Sequence, residues 1–134
     1  MRAGDYVLVQ LSQSAKRRTI ARVLGYHSGL KVRIEVYRTG PERIEACVIP
    51  IAQLCGVAPE SEKLTAFRSL DEMKVARQRR ERARVSVNAL AQVVGVSPHT
   101  LAAAESGKKK TQPRVRLWIL EGLRRVEARA AQSS

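Results

Sequence analysis

Aromatic side chains are scarce in this 134-residue chain, at 4% of its residues, and acidic side chains are outnumbered by basic ones, 12 against 25. With so few rings, a packed interior must be built from Val, Leu, Ile and Ala, and base stacking on aromatic faces is poorly supported. The formal charge of +13 and the pI near 10.9 make a polyanion the expected partner. The excess is not a basic tail, because residues 1–57 carry nine Lys and Arg against four acids, and residues 58–134 carry sixteen against eight.

Cysteine and histidine are almost absent, with two of each. Cys47 and Cys55 match no metal-ligand or redox spacing, and we interpret them as small buried hydrophobes of a reducing compartment. Clustered carboxylates are missing too, so no nucleophile–base pair or metal set can be recognised. We therefore expect no enzyme, no metal and no other cofactor.

Long apolar runs are also missing. The N-terminus lacks the apolar segment of a signal peptide, and no stretch approaches the ~18 uninterrupted apolar residues of a membrane span. No membrane partner is expected, and the predicted location is the cytoplasm, in association with the nucleoid.

The first half of the chain alternates with the period of half-buried strands. Apolar residues occupy every second position in segments 6–11, 19–27, 31–38 and 43–50. Residues 49–57 then predict a helical turn and one more short strand. Four strands, a turn and a fifth strand resemble an SH3-like small barrel, which implies a closed antiparallel β-barrel domain over residues 1–57. An OB-like barrel is the alternative.

The predicted barrel is basic. Lys16, Arg17 and Arg18 crowd its first loop, and Arg22, Arg33 and Arg38 alternate with apolar neighbours. Small barrels mostly bind a partner, so this one is expected to contact either a nucleic-acid backbone or a protein.

The period becomes helical in the second half. Residues 58–70 mix Pro, Ser and charge, and predict a linker that docks through Leu64, Phe67 and Leu70. From residue 71 onward four helices are predicted, so the fold class is α+β, with an all-α domain over residues 71–130. The first has Met73, Ala76, Arg80 and Ala83 on one face, and the last begins at Pro113 with Val115, Ile119, Leu123 and Val126 on its inner face.

The two middle helices carry matching end signals. Ser86 is placed as an N-cap of one, and Gly95 suits a left-handed residue after its last turn. Ser97 caps the next helix, Pro98 occupies its first position, and Gly107 ends it. Two capped helices joined by Gly-Val-Ser predict a helix-turn-helix.

The segment "LAQVVGVSPHTLAAAESG" resembles the Cro and lambda-repressor-like (XRE) DNA-binding family. The residues that carry the likeness are Leu90-Ala91, Gly95-Val96-Ser97, Leu101 and Glu105-Ser106-Gly107, within a match of residues 71–126. The family pairs an Arg with a Glu at the positions of Arg80 and Glu105, which implies a buried ion pair here. A snorkelling Arg80 is the alternative.

The resemblance also implies that the third of the four predicted helices enters the major groove of duplex DNA. The implied base-facing residues are Pro98, His99, Ala102 and Ala103. The expected phosphate contacts are Ser86, Ser97, Thr100, Lys108, Lys109, Lys110 and Arg114. The chain departs from the family at Ala102 and Ala103, which cannot hydrogen-bond to bases, and at Val87, where relatives carry a polar phosphate contact.

Double-stranded DNA is therefore the expected partner of a prokaryotic or phage-type transcriptional regulator. The alternatives are RNA binding and a protein-interaction or inhibitor module that uses the helix-turn-helix as a scaffold. Leu117, Trp118 and Leu120 give the last helix a second apolar face, which predicts either docking on the barrel or a homodimer seam.

Overall fold

A computed structural model describes residues 2–12, 17–108 and 110–133. The chain divides into two compact units, Met1–Leu64 and Thr65–Ser134. The first is a β-sheet unit and the second is a helical unit. The boundary falls within the first helix rather than in an extended linker.

The sheet unit has five antiparallel strands in the spatial order β4-β3-β2-β1-β5. Their bounds are β1 Tyr6–Val9, β2 Thr19–Ser28, β3 Lys31–Arg38, β4 Arg43–Pro50 and β5 Leu54–Val57, with a 3₁₀ turn over Ile51–Gln53. The predicted strands and the predicted turn are therefore present. The apolar core comes from alternate positions of the strands: Val7, Val9, Ala21, Val23, Val32, Ile34, Val36 and Ile49.

The sheet is open, and the closed barrel expected from the sequence is not shown, because β4 and β5 are edge strands without mutual pairing in the described residues. It must still curl. Pro50 and Leu54 lie on opposite edge strands yet only a few residues apart, a reach of at most ~14 Å. Four flat inter-strand spacings would need about 19 Å. Strand β4 also buries only Ile49, so its alternating apolar residues are not a half-buried face as predicted.

The helical unit contains five helices where four were predicted. They are α1 Glu62–Lys74, α2 Ala76–Arg82, α3 Val87–Val94, α4 Pro98–Ser106 and α5 Pro113–Ser133. Two features together account for the extra helix. Residues 62–70, within the predicted linker, are helical. Ser61 Oγ accepts the Leu64 amide at 3.1 Å at the start of this helix, and Leu64 and Phe67 are buried one turn apart. The helix then breaks at Val75, whose amide bonds back only three residues, to Glu72 at 3.3 Å.

The core of this unit combines all five helices. Its buried apolar residues are Met73, Ala76, Leu90, Ala91, Leu101, Ala104, Ile119, Leu120, Leu123 and Val126. Three of the four inner residues predicted for α5 are buried, and Val115 is partly buried. Leu120 is fully buried, so it does not belong to the predicted second apolar face, which reduces to Leu117 and the half-exposed Trp118.

Candidate nucleic-acid interface

The bend between α3 and α4 is set by a left-handed glycine. Gly95 has φ 88°, and its amide donates to the Ala91 carbonyl at 2.8 Å, while the Val96 amide donates to the same carbonyl at 3.1 Å. Val96 then packs partly buried against the helical core. An L-residue other than glycine rarely adopts this φ, so glycine allows a reversal within three residues.

Serines begin both helices of this motif. Ser86 Oγ accepts the Ala89 amide at 3.1 Å, and Ser97 Oγ accepts the Thr100 amide at 3.0 Å. The Ser97 and Thr100 hydroxyls also share a hydrogen bond of 2.8 Å. These three predicted phosphate contacts are all exposed, but their hydroxyls already serve the N-termini of α3 and α4. Contact with a phosphate would therefore come from rotation of a hydroxyl proton or from the backbone amides of the first turn.

A bidentate ion pair holds α4 against α2. Arg80 Nε and Nη2 donate to Glu105 Oε2 and Oε1 at 2.8 and 3.1 Å. The Arg80 and Glu105 side chains are only 9% and 4% exposed. The third donor, Arg80 Nη1, reaches the Val85 carbonyl at 2.9 Å, in the loop before α3. The hydrogen bonds to Glu105 raise the pKa of Arg80 against the opposing effect of burial. One guanidinium thus connects α2, the α2–α3 loop and α4.

The outward face of α4 is small and almost apolar. Pro98, His99 and Ala102 are exposed and Ala103 is partly buried, whereas Leu101 and Ala104 point into the core. His99, Ala102 and Ala103 of this face line an open depression of about 420 Å³, together with Val87 of α3 and Arg77 of α2. The one carboxylate among the lining residues, Glu105, is neutralised by Arg80.

Cations surround this depression. Arg77 and Lys108 line it, and Arg77 forms an exposed ion pair with Glu81 at 2.9 Å. Gly107, at φ 71°, turns the chain out of α4 so that Lys108 follows immediately and Lys110 is exposed two residues later. The predicted contact Lys109 lies outside the described residues.

Arg114, the last predicted phosphate contact, stacks on a tryptophan. Its guanidinium carbon lies 5.3 Å from the centroid of the Trp118 ring, a cation–π distance. The side chain is exposed on the first turn of α5. The sequence did not indicate this stacking. A phosphate contact of Arg114 would compete with it.

The structure shows a second buried arginine that the sequence analysis missed. Arg116 is 3% exposed, and its donors reach Ser69 Oγ at 2.8 Å, the Thr111 carbonyl at 2.6 Å and the Ala66 carbonyl at 3.2 Å. These bonds tie α5 to α1. A signal existed, because Arg116 precedes the buried Ile119 by three residues and so shares its face.

Two further arginines on α2 and its C-terminus were also not singled out. Arg79 donates to both oxygens of Glu127 on α5, at 2.9 and 2.5 Å, which raises the pKa of Arg79 and lowers that of Glu127. Arg84 follows α2 with φ 59°. The Arg84 amide donates to the Glu81 carbonyl at 3.0 Å, and the Val85 amide donates to the Arg80 carbonyl at 3.2 Å. This is the Schellman arrangement, with arginine in the position that glycine usually takes.

Comparisons with family models, with curated proteins and with solved structures gave no match for this chain. Within the described ranges, no group of three or more His, Cys, Asp or Glu side chains is arranged to hold a metal ion. No helix in the same part of the chain has the length and apolarity needed to cross a bilayer. A function for this chain must therefore be inferred from the geometry of α2 to α5.

Proposed function

We propose that this protein binds duplex DNA through α4 and the cations around it, and that it acts as a transcriptional regulator of prokaryotic or phage type without catalytic activity. One observation carries the proposal: a short helix, held rigidly by the Arg80–Glu105 pair, presents a face without a free carboxylate beside Arg77 and Lys108. A helix of this kind fits the major groove, which is about 12 Å wide.

The proposed contacts are mostly to the backbone. His99 is the one side chain of the base-facing set that can hydrogen-bond to a base edge, while Ala102 and Ala103 can touch thymine methyl groups. Small side chains also allow close approach of the α4 backbone to the groove floor. Lys108, Lys110 and the His99 amide in the first turn of α4 would contact phosphates, so affinity should depend strongly on salt. Sequence preference would come from His99 and from DNA shape.

The test is fluorescence anisotropy of a labelled duplex over a salt series, with random-sequence duplex as competitor. The Lys108→Gln/Lys110→Gln double variant is expected to reduce the slope of log Kobs against log salt by about 1.8, since each phosphate contact contributes ~0.9. The control is Arg125→Gln/Arg129→Gln, which removes two exposed cations from the second half of α5 and should leave the slope nearly unchanged.

Base readout is tested separately with His99→Ala. This variant should discriminate less between duplexes of different base sequence while retaining the salt slope. Weak binding to every duplex, with the lysine and control variants indistinguishable, would refute the proposal. That result would favour the second candidate, a protein-interaction module, which the nearly apolar outward face of α4 supports.

A further inference from the structure

The sheet unit contains a cleft of its own, of about 360 Å³. Leu8 of β1 and Ile20 of β2 line it, together with the end of β3 and the segment that leads into α1. All its lining residues belong to the unit that ends at Leu64. The volume falls within the range of about 300–1,000 Å³ that is typical of ligand sites.

Among the residues that the structure describes, four cations line this cleft and no carboxylate does. They are Arg17, Arg18, Arg38 and Lys63. Arg38 shares the Glu45 carboxylate with Arg43, at 3.4 and 2.8 Å, and neither Glu45 nor Arg43 lines the cleft. A single negative charge therefore faces two guanidinium groups. For the other three, the part of the chain that the structure describes gives no ion pair. The cleft therefore concentrates positive charge that a single carboxylate, shared between Arg38 and Arg43, offsets only in part.

The remaining lining chemistry suits phosphate better than bases. Thr19 and Thr39 add hydroxyl groups next to the cations. Tyr37 is 5% exposed and its hydroxyl donates to Glu42, so its ring cannot serve as a stacking platform. Guanidinium groups bind phosphate oxygens in a fork geometry, and hydroxyls complete such contacts. No other aromatic residue lines the cleft among the described residues.

We infer that this cleft binds the sugar–phosphate backbone of a nucleic acid, as a second and sequence-independent contact for the DNA that α4 reads. The inference rests on the proposed function for the identity of the partner, but on different residues. It explains why the basic excess extends to the sheet unit, where residues 1–57 carry nine cations against four acids. An acidic polypeptide is the competing occupant, and the test includes it.

The experiment compares double variants of the full chain on a random-sequence 30-bp duplex, by anisotropy at several salt concentrations. In the cleft variant, Arg18→Gln/Lys63→Gln, we expect the salt slope to fall by about 1.8, which corresponds to two lost phosphate contacts. The matched control is Lys31→Gln/Arg33→Gln, which removes two exposed cations of β3 that do not line the cleft. All four side chains are exposed, so the thermal unfolding midpoints should remain those of the wild type.

The outcomes separate this inference from the proposed function. A lower slope in the cleft variant but not in Lys108→Gln/Lys110→Gln would support the cleft and count against α4. Equal salt slopes for the cleft variant and its control would refute the inference that the cleft binds the backbone, whatever the slope of Lys108→Gln/Lys110→Gln. If polyglutamate competes more strongly than duplex and loses its binding only in the cleft variant, while the duplex slope stays constant, the occupant is an acidic polypeptide and the inference is wrong.

Discussion

The Arg80–Glu105 pair leads to a strong prediction about the stability of the helical unit. In Glu105→Gln the guanidinium stays in place but loses its counter-charge, with the Arg80 side chain only 9% exposed. Removing one partner of a buried pair costs ~3–5 kcal/mol, because the remaining charge is desolvated without compensation. Arg80 keeps the Val85 carbonyl and one amide oxygen as acceptors, so we expect the lower half of that range, about 3–4 kcal/mol.

The assay is urea unfolding followed by fluorescence of Trp118, the single tryptophan of the chain, which lies on α5 and reports on the helical unit. With a slope of about 1–2 kcal/mol per M, a loss of about 3–4 kcal/mol lowers the urea midpoint by roughly 1.5–4 M. The matched control is Glu81→Gln, in an ion pair to Arg77 whose side chains are 54% and 70% exposed. That variant should cost about 0.5 kcal/mol or less.

A second variant keeps the reasoning testable if Glu105→Gln does not fold. Arg80→Met/Glu105→Leu removes both charges together and should return to within about 2 kcal/mol of the wild type, since the main remaining loss is the donor to the Val85 carbonyl. A cost below 1 kcal/mol for Glu105→Gln, or a double variant as unstable as the single one, would refute the view that desolvation dominates at this pair.

Three further predictions concern the same unit. Arg84→Gly should raise the urea midpoint by the equivalent of roughly 0.5–1 kcal/mol, because a left-handed arginine costs about 1–2 kcal/mol and the chain entropy of glycine offsets part of the gain; an unchanged midpoint would contradict this. Gly122→Ala should lower the melting temperature although alanine favours helix, because the new Cβ would lie 2.5 Å from Val94 Cγ2 and overpacking costs about 1–3 kcal/mol; a higher melting temperature would show that α3 and α5 move apart easily. Arg79 lowers the pKa of Glu127 below its ordinary 4.5, so their pair stabilises the fold above that pH and is lost as the pH falls through the lowered pKa. Glu127→Gln should therefore make the urea midpoint less dependent on pH between neutral and acid conditions, and an acid limb as steep as in the wild type would count against this assignment.

The predictable part of the fold is the part with local signals. Alternation of apolar residues was sufficient to predict the first four strands, and Ser86, Ser97, Gly95 and Gly107 marked the ends of α3 and α4 through hydrogen bonds made within one turn. These interactions depend on residues three or four positions away, which a sequence pattern can show.

The missed features depend on distant partners or on competing signals. Pro59 and Ser61 suggested a linker, and this outweighed the three-residue spacing of Leu64 and Phe67 that marks α1. The edge position of β4 depends on which strands pair, since an exposed and a half-buried strand can share one alternating pattern. The burial of Arg116 requires acceptors on α1, 47 and 50 residues away in the chain.

The sequence indicated which side chains the outward face of α4 carries better than it indicated what those side chains contact. The sequence indicated which side chains share the outward face of α4, because one helical period fixes that grouping. It did not indicate that Arg114 stacks on Trp118, nor that the Thr100 hydroxyl bonds to Ser97, because those contacts depend on rotamers and on the placement of α5.

The acceptors of Arg116 determine how short an independently folding piece of this chain can be. A fragment that begins at residue 71, where the helical pattern first becomes regular, would retain α5. It would lack the Ser69 hydroxyl and the Ala66 carbonyl, which accept hydrogen bonds from Arg116. Such a fragment would leave the Arg116 guanidinium without these two acceptors and should melt at a lower temperature than a fragment begun at residue 61, which also keeps the N-terminal cap of α1. The first nine residues of α1, which the sequence pattern predicted as a linker, therefore stabilise α5 by supplying hydrogen-bond acceptors for Arg116.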